Sequence, residues 1–222
     1  MSIKRGWGIA AALVLGAAPI ARAALEFEQT SLERKADLSQ ERLEVEYPFT
    51  NTGSNPVTIV KIDSSCGCLK ATTEKNVYAP GESGVLSAAF SVGASSGVFD
   101  KSISVTTTSG KEESKQVLEL RVHVPALMLV TPKVLSWKAG EAPVPKKYYL
   151  EVKREKPVHV IRAFASRDGY ECEVVVVEEG KKYYVVLTPP STEAPLMGVV
   201  RIETDCEISK LRRQLVFFSV KR

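Results

Sequence analysis

Two of the four cysteines in this 222-residue chain stand one residue apart, in the tetrapeptide Ser65-Cys66-Gly67-Cys68. A disulfide between them would close almost no loop, so it would remove little entropy from the unfolded chain and add little stability. Gly67 lacks a Cβ atom and can take backbone angles that other residues avoid, which is what a tight Cys-Gly-Cys link or a two-thiolate metal clip needs. The triplet therefore points to redox or soft-metal chemistry, beside the commoner use of cysteine in structural disulfides of exported domains.

A candidate metal site consists of Cys66, Cys68, His123 and Met128. Thiolate, imidazole and thioether ligands together suit Cu(I) or Zn(II). Their spacing is not that of a zinc finger, and an outward-facing strand position is the simpler explanation of His123. The sequence therefore predicts no cofactor, with copper as the alternative.

Cys172 and Cys206 are further redox or disulfide candidates, and four cysteines allow three connectivities. An immunoglobulin-like strand order places the Cys66-Gly67-Cys68 loop near the domain junction. In the same order, Cys206 lies in the last hairpin, at the end of the second domain that faces the first. Cys172 begins a strand at the opposite end. A strand of six or seven residues spans about 20 Å, whereas a disulfide needs Cα atoms within about 7 Å of each other. Either the strand order differs or these two cysteines do not pair.

The elements around these cysteines follow a period of two. Apolar and polar residues alternate over 42–49, 86–92, 118–124 and 148–152, and turn-forming residues separate the segments. Such alternation is typical of strands with one buried face. The pattern predicts an all-β fold of two tandem immunoglobulin-like antiparallel β-sandwich domains, residues 24–124 and 125–222. Pro125 marks the boundary because it cannot donate a hydrogen bond to a strand ladder. The segment 136–147 is the least regular and is predicted to be a loop.

The first 23 residues have the features of a signal peptide. Lys4 and Arg5 precede an uncharged apolar run, residues 6–18, and Ala21-Arg22-Ala23 is a small-x-small cleavage sequence. The run is shorter than the roughly 20 residues that span a bilayer. The sequence therefore predicts cleavage after Ala23, a periplasmic or secreted protein, and no stable membrane anchor after cleavage.

The charge balance argues against nucleic acid as a partner. The chain has a formal net charge of +4, but three of its 30 basic residues lie in the predicted signal peptide, which has no acidic residue. The remaining 27 basic residues nearly balance the 26 acidic ones.

The chain also lacks a glycine-rich phosphate loop, a nucleophile elbow and a paired histidine–carboxylate motif. These observations predict a protein that is not an enzyme.

An ordered set of motifs in the first domain resembles the bacterial domain-of-unknown-function family numbered 1573. The resemblance implies an immunoglobulin-like fold of the hydin and major-sperm-protein type, and it implies no particular activity. It covers roughly residues 41–125, and the second domain lies outside it. The motifs are Tyr47-Pro48-Phe49-Thr50-Asn51-Thr52-Gly53, Pro56-Val57-Thr58-Ile59, Ser65-Cys66-Gly67-Cys68, Pro80-Gly81-Glu82-Ser83-Gly84 and Gly97-Val98-Phe99-Asp100-Lys101.

Two functions from different classes remain. The first is an exported, non-catalytic immunoglobulin-like module with a protein-binding or structural role, because exposed strand edges can accept a strand from a partner protein. The alternative is a periplasmic thiol-redox or copper-binding protein that uses the Cys66-Gly67-Cys68 loop. The first is favoured because its support extends over the whole chain.

Overall fold

The computed structural model describes residues 25–222. The predicted signal peptide and its cleavage site after Ala23 lie outside the described residues. The fold prediction is confirmed, since the described chain forms two consecutive β-sandwiches, each made of two packed sheets. Within residues 25–222, no helix has the length and hydropathy needed to cross a membrane.

The first sandwich contains nine strands. One sheet has the order β1-β3-β7-β5 and the other the order β2-β9-β8-β4-β6. Side chains along β3 alternate between exposed and buried, as the sequence predicts for a strand with one face on the core. The strands are β1 (Leu25–Phe27), β2 (Ser31–Lys35), β3 (Arg42–Asn51), β4 (Val57–Ser64), β5 (Leu69–Thr73), β6 (Val77–Tyr78), β7 (Ser83–Ser91), β8 (Gly97–Ser109) and β9 (Glu112–Val124).

The second sandwich contains eight strands, in the sheets β10-β12-β15-β14 and β11-β17-β16-β13. A single-turn 3-10 helix, Ser209–Leu211, precedes the last strand. The strands are β10 (Met128–Thr131), β11 (Val134–Lys138), β12 (Lys146–Val152), β13 (Val160–Ala165), β14 (Glu171–Glu178), β15 (Lys182–Thr188), β16 (Leu196–Thr204) and β17 (Arg213–Lys221).

The two sandwiches share one topology, with β6 as the one strand of the first that lacks a counterpart. In each, a tyrosine on the third strand donates its hydroxyl to a backbone carbonyl on the last strand. Tyr47 donates to Glu119 O at 2.8 Å, and Tyr148 donates to Phe217 O at 2.6 Å. Burial raises the pKa of both phenols, that of Tyr47 to about 12. Both side chains therefore act as neutral donors that tie one sheet to the other.

Two details differ from the sequence prediction. Each sandwich contains one parallel pair, β2 with β9 and β11 with β17, because the first strand of each domain breaks and its second half crosses to the other sheet. The predicted loop 136–147 is partly wrong, since β11 extends to Lys138 and β12 begins at Lys146. Leu135 and Trp137 point into the core from β11, and this burial outweighs the nearby loop-forming glycine and prolines.

Candidate functional site

The Cys66-Gly67-Cys68 loop connects β4 of one sheet to β5 of the other. Cys66 and Cys68 form a disulfide with a Cα–Cα distance of 5.2 Å, and both are half-buried against the first core. The Leu69 N–H donates to Cys66 O at 3.2 Å, which closes the turn. The φ angle of Gly67 is not positive, and a Cβ atom at this position would have no neighbouring atom within 4 Å. The expectation that this position needs the conformational freedom of glycine is therefore wrong.

Backbone hydrogen bonds fix both ends of the loop. The Ser65 N–H donates to Ser102 O on β8 at 2.9 Å, and the Ser102 N–H donates to the Ser65 hydroxyl oxygen at 3.0 Å. The Ser91 N–H, at the end of β7, donates to Cys68 O at 2.8 Å. Because the chain on both sides of the disulfide is held by its neighbours, the fold positions the two sulfurs without help from their covalent bond.

The loop lies at the end of the first sandwich that faces the second. Next to Ser91, the carbonyl of Val92 accepts a hydrogen bond from the Lys210 ammonium of the second sandwich at 3.1 Å. Lys210 also donates to Gln40 O at 2.5 Å, and Leu38 packs against the second core. Desolvation at this junction lowers the pKa of Lys210. The disulfide is therefore linked to the domain junction through the short segment 91–92.

The remaining candidate metal ligands lie elsewhere. The loop is bonded to Ser102 on β8, which pairs with Glu119 on β9, whereas His123 lies four residues further along β9. The Nε2 atom of His123 contacts a carboxylate oxygen of Glu33. Met128 is 4% exposed and belongs to the core of the second sandwich. Within residues 25–222, no group of three or more His, Cys, Asp or Glu side chains is arranged to hold a metal ion. The described geometry brings Cys66 and Cys68 together and separates both from Met128.

Cys172 and Cys206 are free thiols. Cys172 lies near the start of β14, opposite Leu187 on the neighbouring strand β15. Burial raises the pKa of its thiol to about 11. Cys206 is 1% exposed, and its sulfur lies 3.9 Å from a guanidinium nitrogen of Arg154. Cys206 follows Thr204, which lies at the opposite end of the sheet from the connection that leads into β14. The strand order thus keeps the two thiols apart, as the topological argument from sequence requires.

We expect a thiol titration of the unfolded, non-reduced protein to give two thiols per chain, and four after reduction. The reason is that Cys66 and Cys68 are bonded while Cys172 and Cys206 are not. In the native state both free thiols should react slowly, since one is buried and the other has a raised pKa. A count of zero thiols before reduction would contradict this pairing.

We expect replacement of both Cys66 and Cys68 by serine to change the free energy of unfolding by less than about 1 kcal/mol, because the closed loop is minimal. Urea denaturation of the oxidised protein and of the double variant measures this difference. A loss of about 2–5 kcal/mol, the range for an ordinary structural disulfide, would contradict it.

A polar groove of about 360 Å³ lies beside Ser65 on the outer face of β8 and β9. Two of its charged side chains pair with each other, since Arg121 donates to Asp100 at 2.6 Å. This hydrogen bond lowers the pKa of the Asp100 carboxyl. The groove thus has the character of a solvated polar sheet face.

A second candidate site, an apolar surface, escaped the sequence reasoning. It is the outer face of the sheet β11-β17-β16-β13, and we call it the apolar face. Met197 is 68% exposed, Leu215 56%, Phe217 48% and Val134 44%. The signal for it is the nearly continuous apolar run of β17, residues 215–220, which leaves both faces of that strand apolar.

Strand register assembles the apolar face from separate strands. Phe217 lies between Val134 on β11 and Val199 on β16, while Leu215 lies beside Arg201. Arg201 and Arg162 lie against the Phe164 ring, at 5.3 and 5.4 Å from its centroid. Arg162 also donates to Glu203 at 2.7 Å, which lowers the pKa of that carboxyl. The apolar face is therefore bordered by arginines, and the one acidic side chain among them, Glu203, is paired with Arg162.

The corresponding face of the first sandwich is polar. Its outward positions on β8 are mainly serine, threonine and aspartate, and those on β9 include the ion-paired Arg121. Over the whole first sandwich, the exposed large apolar residues are five valines, one of which, Val85, lies on the other sheet, whereas the second sandwich also exposes phenylalanine, leucine, isoleucine and methionine. The same topology thus carries a solvated face in one domain and an apolar face in the other.

A family model matches the first sandwich. The model of the family described as "Protein of unknown function (DUF1573)" matches residues 25–124, so the resemblance predicted from the motifs is confirmed. None of the curated proteins matches the chain.

Three similar solved structures show low identity. The ASH/PapD-like domain of human CEP192 is 11% identical, with a TM-score of 0.43, and 52% of this chain covers 97% of it. The CupB2 chaperone of Pseudomonas aeruginosa is 12% identical, with a TM-score of 0.37, and 88% of this chain covers all of it. The VesB protease of Vibrio cholerae is 13% identical, with a TM-score of 0.40; 45% of this chain covers only 32% of that protease.

Proposed function

We propose that this chain, whose first sandwich is a DUF1573 domain, is an exported, non-catalytic module that binds a partner protein through the apolar face of its second sandwich. The observation that carries the proposal is the exposure of Met197, Leu215, Phe217 and Val134 on one sheet face. Soluble domains rarely leave a contiguous apolar patch uncovered unless it binds something. The equivalent face of the first sandwich, built on the same topology, is polar.

Charge selects the kind of partner. Arg162, Arg201 and Arg213 border the apolar face, and Glu203 is shared between Arg162 and Arg213 at 2.7 and 3.7 Å. Three arginines and one glutamate give this border a net positive charge, which favours a partner with acidic side chains around an apolar centre. A partner surface that combines apolar and acidic side chains complements both the shape and the charge.

Site-specific crosslinking tests the proposal. A photoreactive phenylalanine analogue replaces Met197 in one variant and, as a matched control, Val117 in another, since Val117 is a 50% exposed strand residue of the first sandwich. In the exported fraction, where the chain should begin at Ala24, we expect a protein adduct from the Met197 position only. The adduct should then be identified and its binding measured with purified protein.

The decisive comparison is the Phe217→Ser change. It should weaken binding of the identified partner about tenfold or more, as truncation of a central interface aromatic does. Equal adducts from both crosslinking positions, or an affinity unchanged by Phe217→Ser, would refute the proposal. Recovery of the chain from the membrane with its first 23 residues intact would refute the export part of the proposal.

The Cys66–Cys68 disulfide favours a second candidate function, thiol–disulfide exchange, because it contributes little as a staple and lies in a surface connection. Redox titration against glutathione tests it. A Cys66–Cys68 potential in the range of known oxidoreductases supports exchange, whereas a disulfide that resists the glutathione pool indicates a structural role.

A further inference from the structure

We infer that the free edge of β14 is a second binding site, which accepts an extended partner segment that alternates apolar residues with lysine or arginine. This site is distinct from the apolar face, and the inference depends on the proposed function only in that the ligand is a polypeptide. Its basis is the pairing pattern of β14 and the chemistry of its side chains.

β14 is the long unprotected edge of the second sandwich. It ends the sheet β10-β12-β15-β14, so one side of its backbone has no strand partner within residues 25–222. Natural edge strands are commonly short, charged or bulged. The edge strand β10 has four residues, and the edge strand β13 has a register irregularity and carries Arg162. β14 instead has eight residues, four of them consecutive valines, Val174–Val177.

The side chains of this edge are exposed on both faces of the strand. Val176 pairs with Tyr183, a core residue, and so lies on the inner face of its sheet, yet it is 52% exposed. Val175 pairs with Tyr184 on the outer face and is 37% exposed. The bulge at Val177, which is 49% exposed, falls only at the end of the strand. The edge therefore presents apolar side chains together with free backbone groups.

The neighbouring edge extends this apolar rim. Ile161, beside the irregularity in β13, is 64% exposed. It lies towards the same end of the sandwich as Val176, because the hydroxyl of Tyr183, the partner of Val176, donates to Val158 O at 3.1 Å. An added strand on β14 could place alternate apolar side chains over this rim.

Charge identifies the other side chains of the ligand. Glu171 and Glu173 precede the valines on the outer face and form no salt bridge within residues 25–222. Lysine or arginine at alternate ligand positions would lie across from them, and opposite charges stabilise cross-strand pairs. A second copy of β14 is disfavoured, since antiparallel self-pairing that superimposes the four valines sets Glu173 against Glu178 twice.

The experiment uses a capped nine-residue peptide that alternates lysine with valine and is titrated into the full mature chain. NMR should show shifts and slowed hydrogen exchange at the amides of β14. Replacing every lysine of the peptide by glutamate, or methylating its pairing backbone nitrogens, should weaken binding about tenfold or more.

Two protein variants complete the test. Val176→Lys introduces the inward-facing charge that protects natural edges and should weaken peptide binding about tenfold. Val117→Lys is the matched control, a valine of similar exposure in β9, and should leave binding unchanged. Should Val176→Lys fail to fold, the double change Glu171→Lys and Glu173→Lys serves instead, and it should reverse the preference between lysine and glutamate peptides.

Three results would overturn the inference. The first is peptide binding that these changes in β14 leave unaffected, and the second is protection from hydrogen exchange at another edge in place of β14. The third is self-association of the chain that Val176→Lys abolishes. Crosslinking from Met197 should not respond to Val176→Lys, so failure at the edge and failure at the apolar face are distinguishable.

Discussion

Trp137→Ala should destabilise the second sandwich by about 3–5 kcal/mol, the range for truncating a large aromatic side chain in a core. Trp137 is 1% exposed, and its indole N–H donates to Val144 O at 2.9 Å. The substitution therefore opens a cavity and leaves that carbonyl without its donor. A domain of this size has a total stability of about 5–15 kcal/mol, so the expected loss is a large part of it.

The segment 139–145, which follows Trp137, should lose stability as well. The ammonium of Lys146 lies 5.0 Å from the Trp137 ring centroid and also donates to Ser136 O and, at 3.1 Å, to Glu141. Truncation removes the ring beneath this cation, and cation–π contacts contribute about 0.5–1 kcal/mol at exposed sites. The segment 139–145 thus depends on the same side chain that fills the core.

Urea denaturation followed by circular dichroism measures the effect, since residues 25–222 contain no other tryptophan whose fluorescence could report unfolding after the change. We expect two transitions, the earlier one belonging to the second sandwich. Trp137→Phe is the control, because it keeps an aromatic ring in the core and should lose less stability. An unfolding curve that shifts as one transition would show that the two sandwiches unfold as a unit.

The fold followed from the sequence because several strands show a two-residue period of burial. β3 illustrates this, since every second side chain from Leu43 to Phe49 is buried. The path of β11 was missed because Trp137 lies close to loop-forming residues; a tryptophan is expected to be buried in a core or at a domain junction, but nothing local indicates that it lies on a strand. Local composition cannot report such a contact, since Val144 accepts its hydrogen bond across a loop.

The candidate site was only partly predictable. The position of the Cys66–Cys68 loop near the domain junction follows from strand direction alone, and the structure places it beside the segment held by Lys210. The apolar face could not be located from the sequence, since it depends on register between β11, β16 and β17. Pairing registers bring Val134 and Phe217 together across 83 residues, and no local pattern encodes that distance.

Asn51 shows how a turn residue can determine stability. In the sequence it belongs to the turn-forming segment Asn51-Thr52-Gly53, yet in the structure it is completely buried. Its Nδ2 atom donates to Asn55 O and to Tyr78 O, both at 2.9 Å, and its Oδ1 atom accepts from the Gly53 N–H at 3.0 Å. Two of these bonds close the turn 51–55, and the third joins this turn to Tyr78 at the end of β6.

Asn51→Ala should therefore cost about 2–4 kcal/mol, because a net hydrogen bond contributes about 1 kcal/mol and a buried carbonyl left unpaired costs about 1–3 kcal/mol. Chemical denaturation measures the loss, and the transition of the first sandwich should move while that of the second stays in place. Asn55→Ala is the control, since Asn55 is exposed and contributes its backbone carbonyl rather than its side chain. Equal effects of the two changes would contradict the role assigned to the Asn51 amide.

Asn51→Asp sharpens the test because it keeps the shape and exchanges the donor nitrogen for an oxygen. A carboxylate there would face two carbonyl oxygens in a buried site, so its pKa should rise above the ordinary value of about 3.9. The folded state then binds the proton more tightly than the unfolded state, and stability falls as the pH rises through this window. The destabilisation by Asn51→Asp should accordingly be smallest below about pH 4, where the protonated acid can still donate to one carbonyl, and should exceed that of Asn51→Ala at neutral pH. A difference between the two variants that does not change with pH would show that the side chain at this position is hydrated rather than bonded to Tyr78 and Asn55.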